Sequence, residues 1–573
     1  MIDEGRPPLA VCEVARRGKL LVAEPFFEPG LPITLGRRGS VAAREGDLVT
    51  IAVSGGRGRL VEVLGRPDQV TAVLQGVLVD EGLAGGWPEQ VDEELSGLPR
   101  DPLPPDPARA DLRDRLTFTI DPPDARDFDD AITIERVEGA LRVMVHIADV
   151  SAFVAAGGPL DREAAVRGCS VYLPGRVEPM LPHPLSSGVC SLQPGVERYA
   201  VTIDVAPDGK MTAYRSTIRS DHRPSYPQVE QILSGQEPAP DALRAALEDA
   251  RELAGRLRAA RFARGAARID SREVEFSFAA GNVVAAVAAA EHEAHALVEE
   301  LMLMANERVA ELLAAARAPA LYRVHLPPDA DAVRLLLARL AALEVPTPPE
   351  PALHDGAEAA RFAAAISERV SRFVASSRRG RTAFPTLVLR ALERARYDPV
   401  NLGHSGLASP AYCHFTSPIR RYPDLVVHRA LLAQIGAAER PADDAEWLTH
   451  AAVRSSEAER AAARVERRGD DVCLAFLLEQ ELYHRGWDEP FEGEVVGLIG
   501  GAAFVRFGEV FEGLLPARRL GRERFELDPL GVSLVGLTSG HRHRLGDVID
   551  VRVQSIERAR GRVLLDRAGS GRR

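Results

Sequence analysis

Hydrophobic and polar positions along the 573 residues fall into three textures. Over residues 1–66, short β-favouring runs ("GKLLVAEPFF", "GDLVTIAV", "GRLVEVLGRP") are separated by glycine and proline, which predicts a small barrel or sandwich. Across 67–97 the period changes. In "DQVTAVLQGVLVDEGLAGGWPEQVDEEL" (68–95) apolar residues recur at helical spacing and break at Gly85-Gly86, predicting helix, turn, helix. The strands form either a five-stranded oligonucleotide-binding (OB) type of barrel or, with the helix pair, a winged helix. "LPRDPLPPDPARAD" (98–111) is a proline-rich linker and a predicted boundary.

From 112 to 488 strands give way to long Ala/Leu/Arg helices, clearest in "EHEAHALVEELMLMANERVAELLAAA" (291–316) and "AAVRSSEAERAAARVERRGDDVCLAFLLEQELY" (451–483), predicting a large α+β domain. In 489–573 the alternation returns ("FEGEVVGLIGGAAFVRFG", "GDVIDVRVQSIERARGRVLLD"), predicting a second small barrel. The fold class expected is therefore multidomain α+β, a large α+β domain flanked by small β-rich modules.

Length alone implies roughly three to four domains. No apolar run reaches the roughly 18 residues of a membrane span, and the acidic start "MIDEGRPPLAVCEVARRGK" is not expected to be a signal peptide. Five scattered cysteines without CxxC spacing fit a reducing cytoplasm and argue against structural zinc. The net charge of −12 speaks against nucleic acid only superficially, since binding depends on local patches. One patch is visible: residues 491–573 carry 14 Arg against 11 Asp and Glu. Among 71 basic residues only Lys19 and Lys210 are lysines, so phosphate contacts would fall to arginine, whose planar fork suits them.

"DPPDARDFDDAI" (121–132) sets five aspartates within ten residues, and like charges this close need neutralising. "LTFTI" (116–120) alternates like a strand before it, and "AITIERVEGALRVMVHIADV" (131–150) predicts a hairpin around Glu138-Gly139 after it. Three readings compete: a solvated acidic turn, an EF-hand calcium loop, and a two-metal phosphodiesterase site for Mg²⁺ or Mn²⁺. The EF-hand pattern fails, with Arg126 in place of the glycine and Ile132 in place of the final glutamate. In "HFTSPIRRYPDLVVHR" (414–429), Arg420 and Arg421 are either phosphate clamps or a salt-bridge cluster. Tyr172, in the Pro/Gly-rich "SVYLPGRVEPMLPHPLSSGVCSL" (170–192), either stacks on a base or packs in a core.

Together these stretches resemble the ribonuclease II / RNase R family of 3′→5′ exoribonucleases. "TIDPPDARDFDDAI", "VYLPGRVEPMLPHPLSSGVCSL", "EELMLMANERVA" and "HFTSPIRRYPDLVVHR" match in order, spanning about 112 to 480, the family's RNB catalytic domain; the tail from 491 looks like its S1 RNA-binding domain, an OB-fold. The resemblance implies Mg²⁺ (Mn²⁺ as substitute) held by Asp121, Asp127, Asp129 and Asp130, with Asp124 outside the set. It implies Arg420 anchoring the scissile phosphate, Arg421 beside it, Tyr172 stacking on the 3′-terminal base, and Glu466 lining the site. The expected activity is processive hydrolysis of single-stranded RNA with a free 3′ end to nucleoside 5′-monophosphates in RNA turnover. A monomeric cytoplasmic enzyme with no membrane partner is expected; the alternatives are a DNA-directed exonuclease and a non-catalytic RNA-binding scaffold.

Three departures stand out. About 100 residues before the linker cannot hold two cold-shock barrels plus the helix pair. The family's second stacking aromatic is missing near "RAPA" (317–320), where Tyr322 is the available substitute. No lysine-rich tail follows Asp566, which inclines the expectation toward the ribonuclease II side.

Overall fold

A computed structural model describes residues 9–18, 20–36, 43–54, 56–84, 86–267, 274–289, 292–351, 355–438 and 445–569. Gly85 of the predicted helix break, and the outermost residues of both terminal modules (1–8 and 570–573), lie outside them. β1 (Leu9–Arg17), β2 (Leu20–Pro25), β3 (Ile33–Leu35), β4 (Leu48–Ser54) and β5 (Arg57–Gly65) close into a barrel of order β1-β2-β3-β5-β4. α1 (Val70–Asp80) packs on its outside and α2 (Glu89–Ser96) follows. Gly76 allows the approach of α1, since a Cβ there would lie 3.2 Å from Val11 and 3.3 Å from Phe27. Because five strands close the barrel among themselves, the arrangement is OB-like and the winged-helix alternative does not apply.

The proline-rich stretch is a strap rather than a free tether. Its end forms β6 (Ala110–Asp111), buried Arg109 pairs with buried Asp149 (2.7 Å), and Asp101 accepts from Arg198 (2.6 Å). Next come β7 (Asp130–Val137), β8 (Ala140–Ala148), α3 (Pro159–Arg167), the small hairpin β9 (Val171–Leu173) and β10 (Arg176–Glu178), then β11 (Glu197–Val205) and β12 (Met211–Arg219). A five-stranded sheet of order β6-β12-β11-β8-β7 results, antiparallel except for β6 with β12. The β7–β8 turn sits at Glu138 (φ 52°) and Gly139 (φ 85°), where the sequence pattern predicts it. β11 is buried in every residue but its first, as a strand covered on both faces must be.

α4 (Tyr226–Leu233), α5 (Asp241–Arg264), the hairpin β13 (Val274–Ala279) and β14 (Asn282–Ala288), and α6 (Glu293–Ala315) come next; α5 packs on β7 and α6 on β8, closing the main core. They are followed by β15 (Tyr322–Val324), α7 (Ala330–Ala342), α8 (Gly356–Ser377), α9 (Ala383–Ala391), β16 (Arg396–Asp398), α10 (Tyr422–Gln434) and the 41-residue α11 (Ala445–Arg485). α8 buries Ala359, Phe362, Ala363, Ile366 and Val370, an i, i+3, i+4, i+7 stripe.

That stripe belongs to a second core shared with the C-terminal barrel. The barrel comprises β17 (Phe491–Ile499), β18 (Ala502–Phe507), β19 (Phe511–Pro516), β23 (Val548–Glu557) and β24 (Arg562–Arg567), with β20 (Phe525–Leu527), β21 (Ser533–Gly536) and β22 (Arg542–Arg544) as a side sheet. Its order, β17-β18-β19-β24-β23, repeats the connectivity of the first barrel, including a parallel pair between third and fifth strands. α11 touches β9, the C-terminal barrel and α1, the helix that packs on the first barrel. Among the described residues no helix is long and apolar enough to cross a membrane.

Candidate active site

The aspartate loop is held from several sides. Residues 116–120 are extended but not a regular strand: fully buried Phe118 bridges Ile132 on one side and His222 on the other. Phe128 is buried at the loop's centre. Its N–H donates to Ser191 Oγ (3.0 Å), the Ser191 hydroxyl donates to Arg126 O (2.8 Å), and Leu192 N donates to Phe128 O (2.9 Å). Arg223 donates to the carbonyls of Pro122 (2.8 Å), Pro123 (3.0 Å) and Ala125 (3.3 Å), with its guanidinium 4.7 Å over the Phe128 ring. Each buried phenylalanine stabilises the loop by about 2 kcal/mol. Beyond Phe128 the chain joins the central sheet, with Asp130 as the first residue of β7.

Rigidity here serves charges that water no longer solvates. Asp129 is 4% exposed; its Oδ1 accepts from Ile419 N (2.8 Å), while buried Oδ2 has no hydrogen-bond partner and lies 3.7 Å from Arg420 Nε. Asp121 Oδ2 is a second buried oxygen without a partner. Burial pushes Asp121 up to about 6 against the pull of Arg223, and Asp130 up to about 7 with Asp121 adding to it. Burial likewise raises Asp129 well above the ordinary carboxylate range against Arg420. Asp127 accepts from the Tyr172 hydroxyl (3.0 Å), and Asp124 is exposed. Among the described residues no three His, Cys, Asp or Glu side chains form a compact metal-holding group. The loop therefore offers buried, under-satisfied carboxylates rather than a closed protein cage.

Across the loop, Arg420, Arg421, Tyr172 and Glu466 line one cavity of about 690 Å³. The two motifs that carry them are laced together: Ser170 N donates to Arg420 O (2.9 Å) and Tyr422 N to Gly168 O (2.9 Å). Glu466, on α11, accepts from Tyr172 N (2.9 Å), and Gly469 lets α11 come close, since a Cβ there would meet Leu173 at 2.4 Å. Tyr172 is 37% exposed, so its ring is not core packing. Arg420 is half-exposed and aimed at Asp129.

Two expected roles need correction. Arg421 is not a free phosphate clamp: its Nε and Nη2 donate to Asp424 (2.9 and 2.7 Å), a fully buried carboxylate in the first turn of α10. Tyr322 cannot present a stacking face, because it is 4% exposed within the main core on β15. Conversely, Arg223 and Tyr226 were not singled out by sequence. Ser225 bridges Asp121 and caps α4 through a reciprocal box with Gln228, which sets Tyr226 beside the loop; burial, Asp130 and Asp121 all raise its hydroxyl. The "RPSY" cap signal was readable, but its partner loop was not.

Residues 109–436 match the RNB domain family, more than half of the chain. The chain belongs to the RNB-domain, ribonuclease R family. It is 35% identical over 519 residues to ribonuclease R of Escherichia coli, covering 87% of this chain and 62% of that relative, and so spans under two thirds of its length. Ribonuclease R of Aquifex aeolicus is 33% identical over 602 residues, covering 98% of this chain and 82% of the relative. Neither is a ribonuclease II, so these relatives give no support for the leaning toward that branch. The solved structure of Mycoplasma genitalium RNase R in complex with ribose methylated single-stranded RNA superposes with a TM-score of 0.85 at 23% identity, covering 98% of this chain and 90% of that one. At that identity the likeness speaks for the fold alone.

Proposed function

We propose that the chain is a 3′→5′ exoribonuclease that hydrolyses single-stranded RNA to nucleoside 5′-monophosphates. The observation that carries this reading is the pair of buried carboxylate oxygens without hydrogen-bond partners on Asp121 and Asp129, the latter 3.7 Å from half-exposed Arg420, which with Tyr172 lines the neighbouring cavity. Such oxygens fit a divalent cation, and Mg²⁺ in particular, because it keeps several waters and needs only one or two carboxylates plus substrate phosphates rather than a full protein cage. Asp121, Asp127, Asp129 and Asp130 are the residues that would hold it, with Mn²⁺ as a substitute. When bound, such an ion supplies Lewis acidity to the phosphate and a nucleophilic water at neutral pH.

The chain's own residues do the rest. Arg420 holds the non-bridging oxygens of the scissile phosphate and balances charge that grows in the transition state. Ile419 N fixes the rotamer of Asp129 through Oδ1, leaving Oδ2 turned toward Arg420. Tyr172 stacks on the terminal base, held by Glu466 at its backbone and Asp127 at its hydroxyl. In this reading 112–488 is catalytic, 489–573 is an S1-type RNA-binding barrel and 1–66 a second OB-like module.

A 5′-labelled RNA of about 30 nucleotides, digested with Mg²⁺, is expected to shorten from its 3′ end in single steps, while the deoxyribo-oligomer of the same sequence is spared. Internal cuts, or equal digestion of the DNA, would overturn the reading.

A further inference from the structure

The α7–α9 helices and the C-terminal barrel share one apolar core, and a groove follows their seam. Its first cavity, about 520 Å³, is lined by Arg378 and Arg381 from the α8–α9 corner, Arg506 from β18, and Ser371, Thr382 and Thr386. No carboxylate lines it among the described residues. An adjoining cavity of about 590 Å³ shares Arg378, Arg381, Thr382 and Arg506 and continues along β17 and β18 past Glu492, Glu494 and Glu509. Neither cavity shares a lining residue with the one that holds Tyr172 and Arg420.

The acids nearby bear on Arg506, which lies between its cross-strand neighbours Glu494 and Glu512, and not on Arg378 or Arg381. Glu494 accepts from Thr382 N (3.1 Å) and Ala383 N (2.9 Å), so it caps the start of α9 and uses up that helix end. Glu509 offers Arg506 a backbone carbonyl (Nε to O, 3.2 Å), so the open cationic groups of the groove are Arg378 and Arg381. Arg378 and Arg381 have no ion-pair partner among the described residues. Arg378 also sits in the left-handed region (φ 58°, ψ 14°) at the end of α8, where glycine is the unstrained choice. Two arginines without ion-pair partners, one of them strained, over a first cavity whose lining carries no carboxylate match an anion that presents paired oxygens.

We propose that this seam is a second RNA-backbone site, gripping phosphodiesters of the strand outside the catalytic cavity. A groove running through two cavities suits a chain of phosphates better than a single small anion. The inference rests on the reading of the chain as an RNA-degrading enzyme.

The full-length double variant Arg378→Gly/Arg381→Gln tests it, with RNA binding followed by fluorescence anisotropy in EDTA from about 50 to 200 mM salt. For RNA of about 30 nucleotides the affinity should fall several-fold, and the slope of log K against log salt should flatten by about 1.4, roughly 0.7 for each single-strand phosphate no longer neutralised. RNA of about five nucleotides should bind, and be cleaved in a single turnover with Mg²⁺, as by wild type. The thermal midpoint should hold or rise, because glycine relieves the left-handed residue, so weaker binding would not reflect misfolding. An unchanged slope on the long RNA overturns the inference, as does an equal loss on the short one. Thermal stabilisation of wild type alone by a nucleoside monophosphate or inorganic phosphate, with the long-RNA slope unchanged, would make this a small-anion site and also overturns it. A wild type that binds neither RNA would sink the RNA reading itself.

Discussion

Asp129→Asn removes hydrolysis by about 10²- to 10³-fold or more, while the thermal midpoint of the metal-free protein holds or rises. The two effects come from one cause. Asp129 is a desolvated carboxylate with one oxygen lacking a hydrogen bond, and burial outweighs the attraction of Arg420 in setting its proton affinity. A neutral amide costs less to bury, and its oxygen can still accept from Ile419 N. What it cannot supply is negative charge next to the scissile phosphate. RNA affinity should stay within a few-fold, because strand binding is spread over many phosphates and stacks. Single-turnover cleavage, filter binding and a melting curve on the same preparation separate these outcomes. Parallel loss of binding and cleavage, or a lower midpoint, would mean that Asp129 is a structural residue.

Arg421→Ala, one position from the arginine assigned to the phosphate, should act through stability instead. Its fork is closed on Asp424, which is fully buried and also accepts from Ser417 N (2.8 Å). Removing one partner of a buried pair strands the other charge and costs about 3–5 kcal/mol. Urea unfolding should register that loss, and cleavage should fall only as the 414–422 segment loses its shape. Adding Asp424→Ala should restore much of the stability, since the stranded charge is then gone. Arg420→Ala should do the opposite, leaving unfolding nearly unchanged and slowing cleavage. If Arg421→Ala unfolds like wild type but binds RNA poorly, Arg421 is a phosphate clamp after all.

This contrast shows what sequence patterns can and cannot carry. The acidic loop, the hairpin after it, the long helices and the strand-rich ends were legible because alternation and helical spacing are local. For Arg420 and Arg421 the sequence left clamp and salt-bridge cluster open, and the Arg421–Asp424 spacing at the start of a helix was the signal that separates the two. Tyr322 seemed a substitute stacking ring, yet "ALYRV" already reads as a short buried strand, and β15 turns the ring inward. Glu466 and Tyr172 meet across 294 residues, and Arg223 reaches the loop across about 100, pairings that no period records. The resemblance to a family placed Glu466 at the site, but its bond to the backbone of Tyr172 appears only in three dimensions. The proline-rich strap shows the reverse failure: its composition reads as a tether, while Arg109 and Asp101 bind it down.

The central claim is that the buried loop carboxylates await a divalent cation, and the pH dependence of stabilisation by Mg²⁺ tests it most directly. Burial and repulsion from neighbouring loop aspartates push Asp121 and Asp130 above their unfolded values, up to about 6 and about 7, so the stability they contribute is present in acid and lost as pH rises from the ordinary carboxylate range through 6 to 7. Buried His146 and His428, lowered to about 3 and about 4, work in the opposite sense and lose stability as pH falls, so melting in EDTA alone is ambiguous. The difference between melting points with and without Mg²⁺ at each pH cancels those terms. Protons compete for the same oxygens, so the Mg²⁺-induced rise should be small below pH 6, grow through pH 7, and shrink in Asp121→Asn and Asp130→Asn. A rise of equal size at every pH, or one that survives both substitutions, would contradict the account.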